Sequence, residues 1–399
     1  MFFWRNVASN AMTVFVVVLF LAGGVVLWGT RQYSAPGPLA QAICLQVPSG
    51  SNMGLVADDL VTQGAVSSGM IYRIGVDYAD LNDDLKAGSF LIPERSSMAE
   101  IASIVTRGGQ STCGTEIVLR IGVARNLVEM RRLDPATERF EELARFDPAV
   151  DPVPQDYTDL RAAADTQYRV VVAEGTTTWQ VVQALNGFDV MEGDVTAIPP
   201  EGMLAPDSYQ VSPGDDIGAL LAQMQAAQEA TLATLWSERA EGLPFDTPEE
   251  AMTLASIIEK ETAVQDERPV VSSVLVNRLR EGWKLQFDPT IIYGITRGEG
   301  VLDRPIRQSD IDGQTEQRLH GEVLYNTYVI DGLPAGPIAI PGRTAIAAAL
   351  NPAATDYMFF VATGDGTGSH AFAATLEEHN ANVERWRAAE AQAGQAGGD

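Results

Sequence analysis

Lysine is almost missing from this sequence, with three copies in 399 residues (Lys86, Lys260 and Lys284). Acidic side chains outnumber basic ones 53 to 27, for a formal net charge of −26. A polyanion would be repelled by such a chain, and no basic stripe interleaved with aromatics appears, so nucleic acid is a poor partner. There are three histidines (His320, His370 and His379) and no His-Glu-x-x-His pair. Gly-x-Ser-x-Gly and phosphate-cradling Gly-rich loops are also missing, which argues against a serine hydrolase or a nucleotide enzyme. The two cysteines, Cys44 and Cys113, sit in no Cys-x-x-Cys or Cys/His pattern, so zinc is unsupported and no cofactor is called for. In an oxidising compartment they could pair, closing a loop of about 70 residues worth on the order of 4 kcal/mol in the chain-entropy model. Two buried thiols are the alternative.

What the chain does have is apolar material, at 46% hydrophobic residues. That is enough for real cores, and the length suggests two or three domains. The first feature is a membrane span. No charge falls between Arg5 and Arg31, and Val14–Trp28 is almost wholly apolar, close to the roughly 20 residues a helix needs to cross a bilayer. A signal peptide is the competing reading, but Ala40-Gln41-Ala42 lies too far beyond the apolar run to be its cleavage site. The tiny N-terminal side and large remainder favour an ectodomain outside the cytoplasm. The segment boundaries expected are residues 1–10 cytoplasmic, 11–30 membrane-spanning and 31–42 linker.

Residues 43–107 alternate compactly. Ile43–Val47 reads as a strand, Ser51 opens an amphipathic helix, Met70–Leu85 a second, and Gly88–Ile92 a strand. Ser97 and Glu100 form a capping box ahead of another helix. This is a small α+β module, bounded at 43–115. A weak echo recurs where Val171–Gly175 leads into a helix, within a connecting region 116–200. Between the two, Asp134–Asp165 carries nine acidic and three basic residues and reads as a solvated insertion or flexible excursion. From about Asp215 the chain turns helical. Thr247-Pro248-Glu249-Glu250 is a strong helix start. Tyr357–Ala362 and His370–Ala374 read as strands around a Gly-rich loop, Leu376–Ala389 as a final helix, and 391–399 as a flexible tail. The fold class is α+β, with an N-terminal membrane helix and a mostly helical C-terminal domain (201–390) carrying short strands.

The helix from Pro248 ends in Ile257-Ile258-Glu259-Lys260-Glu261-Thr262. Glu259 and Glu261 point about 200° apart, so they cannot work as a close carboxylate pair. Leu254, Ile257, Ile258 and Glu261 share one stripe at i, i+3, i+4, i+7. A carboxylate there is desolvated and lies by the negative end of the helix dipole, and both effects favour the protonated form that a general acid needs. The plainer alternative is a carboxylate paired with a core arginine, Arg268 or Arg278. Glu259, on the other face, is expected to pair with a base. Leu285-Gln286-Phe287-Asp288-Pro289-Thr290, Tyr325-Asn326-Thr327-Tyr328, Gly332-Leu333-Pro334 and Ile340-Pro341-Gly342 mix turn formers with amide, carboxylate and aromatic groups, a lining that suits sugars. His370, beside the Gly-rich loop, is either a substrate contact or a structural residue.

Taken in order, Leu254–Thr262, Glu267-Arg268, Val276-Asn277-Arg278-Leu279, Leu285-Gln286, Asp288-Pro289-Thr290, Ile292-Tyr293-Gly294, Tyr325–Tyr328, Gly332-Leu333-Pro334 and Ser369-His370-Ala371-Phe372 resemble the endolytic murein transglycosylase family (MltG/YceG-like). The resemblance implies that residues 43–107 are LysM-like and that the second glutamate of Glu-Lys-Glu-Thr, Glu261, is the catalytic acid. Gln286, Asp288, Thr290, Tyr293, Tyr325, Asn326, Thr327 and His370 become expected substrate contacts, with Glu259, Thr262 and Arg278 in support. It implies cleavage of the MurNAc–GlcNAc bond of nascent peptidoglycan strands with 1,6-anhydro ends, at the inner membrane facing the periplasm. Partners would be the glycan strands, membrane lipid around the first helix, and the polymerising synthases. This sequence has Ser369 and Ala371 on either side of the histidine, where the family often has glycine and threonine. Two rivals stand beside this reading: a hydrolytic muramidase in which Asp288 or another acid activates water, and a catalytically silent peptidoglycan-binding scaffold.

Overall fold

A computed structural model of the chain describes residues 2–48, 50–107, 113–162, 166–312 and 324–396. His320 and residues 163–165 of the acidic stretch lie outside these. The chain divides into two compact units: 1–117 with 129–146 and 153–167, and 118–128 with 147–152 and 168–399.

The first unit begins with helix α1 (Phe2–Ser34). Its Met12–Ser34 stretch is long and apolar enough to cross a membrane. The helix passes the expected end of the span because Tyr33 packs on the next helices of the unit. Gly75 is what lets it approach, since a Cβ there would lie 2.2 Å from the Tyr33 ring. Strand β1 (Ile43–Val47), helices α2 (Met53–Thr62) and α3 (Gly69–Tyr78), and strand β2 (Gly88–Ile92) follow. β1 and β2 pair antiparallel, with Leu45 opposite Phe90. Asn52, one residue past the expected Ser51, caps α2 by accepting the Leu55 N–H at 3.1 Å. The second expected helix ends at Tyr78, because Asp80 adopts φ +57° and turns the chain into a short 3₁₀ turn at Asn82–Asp84. Ser97 and Glu100 cap α4 (Met98–Thr106) reciprocally, as their spacing predicts. Leu45, Leu60, Tyr72, Ile92 and Ile101 fill the core. A disulfide joins Cys44 to Cys113, with Cα atoms 5.6 Å apart.

The acidic stretch is solvent-exposed over most of Arg139–Phe146 and carries regular structure. Strands β3 (Thr115–Ile121), β4 (Asn126–Asp134) and β5 (Arg139–Phe146) precede helix α5 (Gln155–Ala162), in place of a flexible excursion. Asp134 makes the turn into β5 by accepting the Ala136 N–H (2.9 Å) and the Thr137 hydroxyl (2.8 Å). Only Phe146 of β5 is buried, edge-on to Tyr157. An edge strand exposed on nearly every residue has no hydrophobic alternation to read.

The second unit adds β6 (Gln167–Val172), α6 (Thr178–Asn186), β7 (Ser208–Val211) and α7 (Ile217–Ser237). The sheet order is β5-β4-β3-β6-β7, and the boundary between the units cuts through β3 and β4. The rest is helical: α8 (Pro248–Glu261), α9 (Arg268–Arg280), α10 (Asp288–Thr296), α11 (Gln308–Ile311) and α12 (Arg343–Leu350). A β8–β9 ribbon (Phe359–Ala362 and His370–Ala373) and α13 (Leu376–Ala396) close the chain. Its core gathers Leu254, Ile257, Ile258, Val271, Leu275, Ile346 and Leu350. The last helix continues to Ala396 where a tail was expected from 391, in keeping with the strong helix propensity of its alanine-rich end.

Candidate active site

Helix α8 starts at a reciprocal cap. Thr247 Oγ1 accepts the Glu250 N–H (3.2 Å), and the Glu250 carboxylate accepts the Thr247 N–H (3.0 Å). With the start fixed, Leu254, Ile257 and Ile258 are wholly buried and Glu261 continues their stripe. Burial, helped by the negative charge of Asp288 and opposed by Arg278, pushes the Glu261 carboxyl up to about 7. Arg278 is not tied to it: its Nε donates to Met358 O (2.8 Å) and its Nη1 to Leu285 O (2.5 Å). The side chain of Thr262 serves the backbone, its Oγ1 accepting the Val264 N–H at 3.0 Å as the chain leaves the helix.

Glu259 faces a different neighbourhood. Its Oε1 accepts from Arg268 Nη2 at 2.7 Å and its Oε2 from the Gly342 N–H at 3.0 Å. Arg268, 3% exposed, also donates to Glu174 Oε2 (3.3 Å) and to the Thr344 hydroxyl. A Cβ at Gly342 would lie 1.8 Å from the Glu174 carboxylate, so any larger residue there would displace the Glu174 side chain. Burial raises the Glu259 pKa even so. Lys260 between the two glutamates donates to Gly175 O (3.2 Å), and its own pKa is lowered by burial.

The segment before α10 supplies the next groups. Leu285 and Phe287 are buried, so the residues between and after them, Gln286 and Asp288, face outward. Gln286 holds φ +59°, a left-handed conformation a non-glycine residue seldom adopts, with its N–H on Thr327 O (3.1 Å). Asp288 accepts the Tyr328 hydroxyl at 2.7 Å. Three of the expected substrate contacts are instead interior: Thr290, Asn326 and Thr327 are fully buried. The Thr290 and Thr327 hydroxyls lie 2.9 Å apart, and Thr327 Oγ1 accepts the Phe287 N–H (2.9 Å). Asn326 Nδ2 donates to Asp310 O and Ile311 O, each at 3.0 Å. Their exposed surface is nil, and what they do is hold Gln286, Asp288 and Tyr328 in place.

Tyr293 and Tyr325 meet with ring centroids 4.9 Å apart, with the Arg297 guanidinium over Tyr325. Tyr293 donates to Glu201 (3.2 Å), a carboxyl whose pKa burial raises. His370 is clasped by Glu267, which accepts its backbone N–H (2.9 Å) and meets its Nδ1 at 2.8 Å. Tyr328, Glu267 and Arg268 stood inside the motifs yet were not expected as site residues. Glu174 and Glu201 carry no local signal, since only the fold brings them near. Among the described residues no group of three or more His, Cys, Asp or Glu is placed to hold a metal.

The YceG-like family model matches residues 45–385. The chain belongs to the YceG-like family. It is similar to the endolytic murein transglycosylase of Streptococcus pneumoniae serotype 2 (strain D39), 24% identical over 347 residues, 86% of this chain and 58% of the relative. It is also similar to the endolytic murein transglycosylase of Bacillus subtilis (strain 168), 32% identical over 190 residues, 47% of this chain and 48% of the relative. The chain thus spans about half the length of these relatives. A crystal structure of a yceG-like protein of Listeria monocytogenes aligns over 86% of this chain and 99% of the other, at 22% identity and a TM-score of 0.43.

Proposed function

We propose that this YceG-like protein is a membrane-anchored endolytic lytic transglycosylase of peptidoglycan, with Glu261 as its acid–base. The observation that carries the reading is a single glutamate at the end of an apolar helix stripe, its carboxyl pushed up to about 7 by burial. The names of the two curated relatives support the substrate and the reaction.

Glu261 in its protonated form gives its proton to the glycosidic oxygen as the bond to C1 of N-acetylmuramic acid breaks. The carboxylate left behind takes the proton of that sugar's own C6 hydroxyl, whose oxygen closes on C1. The product ends are a free GlcNAc 4-hydroxyl and a 1,6-anhydro-MurNAc, with no water consumed. A nucleophile already tethered to the sugar replaces a second carboxylate and its bound water. Gln286, Asp288 and Tyr328, supported from beneath by Thr290, Asn326 and Thr327, would line the acceptor face. The length and apolar character of the helix Met12–Ser34 support membrane anchoring; under this proposal it sits in the inner membrane, with the rest of the chain outside the cytoplasm. The strand–helix–helix–strand order of residues 43–92, closed by the β1–β2 pair, supports a LysM-like glycan-holding role for that module.

One observation favours a second reading, hydrolysis: Asp288 lies near enough to Glu261 to raise its pKa and could orient water. Glycan strands digested with the full chain and weighed by mass spectrometry decide. Anhydro ends are expected, and Glu261→Gln should lower cleavage by about 10²–10⁴-fold while strands still bind. Reducing ends heavier by one water would overturn the transglycosylase reading, and full cleavage by the glutamine variant would remove Glu261 from the mechanism.

A further inference from the structure

A cavity of about 310 Å³ lies in the same unit as Glu261 and takes no part in the chemistry above. It opens between the β3–β4 turn, the loop after β5, the first turns of α6 and the segment after α10. Arg125, Asn126, Asp147, Trp179, Gln183 and Val301 line it. The walls are fixed. Gly122 permits the tight β3–β4 turn, as a Cβ there would lie 2.7 Å from Arg125 O. Gln180 ties that turn to α6, its Nε2 donating to Val123 O (3.1 Å) while its Oε1 accepts the Thr177 N–H (3.0 Å).

Against these committed groups, the side chains of Arg125, Asn126 and Gln183 and the indole N–H of Trp179 have no hydrogen-bond partner among the described residues. Four unused polar groups and a half-exposed indole face therefore converge on one hollow. One guanidinium and one carboxylate leave it without net charge. An aromatic face with amide donors and acceptors fits a neutral acetamido sugar, whereas a phosphate or a polyanion would need the cationic surplus that this chain lacks.

Its position relative to Glu261 follows from α10. Asp288, which acts electrostatically on Glu261, begins that helix, and the helix advances about 13 Å over its nine residues. Just past its other end, Gly298 O accepts the Thr177 hydroxyl (2.6 Å), two residues before Trp179. Tyr293, on α10 itself, donates to Glu201, which caps Thr178 N–H at 2.9 Å. The tilted ring pair of Tyr293 and Tyr325, with Arg297, lies along the way. The geometry points to a distal saccharide subsite at Trp179, which grips a glycan strand several sugars from the bond being cut and so favours cleavage within long strands. This rests on the reading of the protein as a glycan-cleaving enzyme.

The test uses the full chain with two purified uncrosslinked glycan preparations, long strands and short fragments of a few sugars. Trp179→Ala is expected to raise KM on long strands roughly tenfold with kcat unchanged, and to leave short fragments unaffected. Trp179→Phe, which keeps a ring, should restore most of the loss. Gln183→Ala, at an exposed position, repeats the comparison without disturbing α6. In a Glu261→Gln background, direct binding of long strands should weaken by the same factor, a readout that stands even if the bond chemistry has been misread. Unaltered long-strand KM and binding in both Trp179→Ala and Gln183→Ala, or equal losses on long and short substrates, would overturn the subsite.

Discussion

Two carboxylates two residues apart on α8 live in opposite surroundings. Both are raised by burial, so burial alone does not tell them apart. Glu259 has both oxygens spent, one on Arg268 at 2.7 Å and one on the Gly342 N–H at 3.0 Å. Glu261 feels Arg278 and Asp288 only through space, and among the described residues nothing donates a hydrogen bond to its carboxylate. The same physical cost, taking a carboxyl out of water, is offset at one site by a fixed network and at the other by protonation. A group that stays in place by keeping its proton is one that can give it away. A group that stays in place by its ion pair is scaffolding, and here it anchors the end of the helix that carries Glu261.

The comparison breaks most visibly at the arginines. Arg268→Met leaves the buried Glu259 without its ion pair, and a loss of about 3–5 kcal/mol in urea unfolding is expected. Arg278→Met removes hydrogen bonds to two carbonyls and no ion pair, for about 1–3 kcal/mol. Equal losses from the two would mean that Glu261 depends on Arg278 as Glu259 does on Arg268. Losing Arg278 should also raise the Glu261 pKa, because its cation opposes the shift.

A middle-sized effect lies in the pH dependence of stability. The Glu261 carboxyl stands at about 7 in the folded chain against 4.5 as the ordinary value. Below pH 4.5 both states are protonated and nothing is lost. As pH rises towards 7 the unfolded chain ionises first, so the native state loses stability, by roughly 3 kcal/mol once pH passes the folded value. Glu261→Gln cannot ionise. Its Tm should match the parent near pH 4 and exceed it at pH 8. A constant difference at every pH would show that Glu261 ionises as freely folded as unfolded. The activity limb has the same origin, with turnover falling as pH climbs through about 7 because the acid form disappears.

Much of this contrast can be read along the chain. The cap at Thr247 and the period of Leu254, Ile257 and Ile258 put Glu261 on the apolar stripe and Glu259 off it, and helical geometry alone does that. The partner of Glu259 was legible as a type, a nearby base, but Glu174 and Gly342 enter from 85 and 83 residues away and only tertiary packing joins them. Thr290, Asn326 and Thr327 show the opposite failure. Hydroxyls and amides that suit a sugar also suit a buried loop, and the sequence has no marker for which side of the backbone they face. The β5 edge strand was missed for a third reason: with one face in solvent and the other hardly covered, its charges hid the strand.

The smallest effect separates a neighbour that tunes from a neighbour that reacts. Asp288 is exposed, begins α10 and already accepts the Tyr328 hydroxyl, an arrangement that Asp288→Asn can keep through the amide oxygen. If Asp288 only adds negative charge, removing that charge lowers the Glu261 pKa, and the descending limb of the pH–rate profile moves down by up to about one unit, some 1.4 kcal/mol. Turnover at pH 5.5 should then be close to the parent's, since Glu261 is still protonated there. If Asp288 instead holds an attacking water, its loss should cost about 10²–10⁴-fold at every pH. A displaced limb with an unchanged plateau leaves Glu261 alone on the reaction coordinate, whereas a collapsed plateau makes the two carboxyls a working pair and transfers the comparison from Glu259 and Glu261 to Glu261 and Asp288.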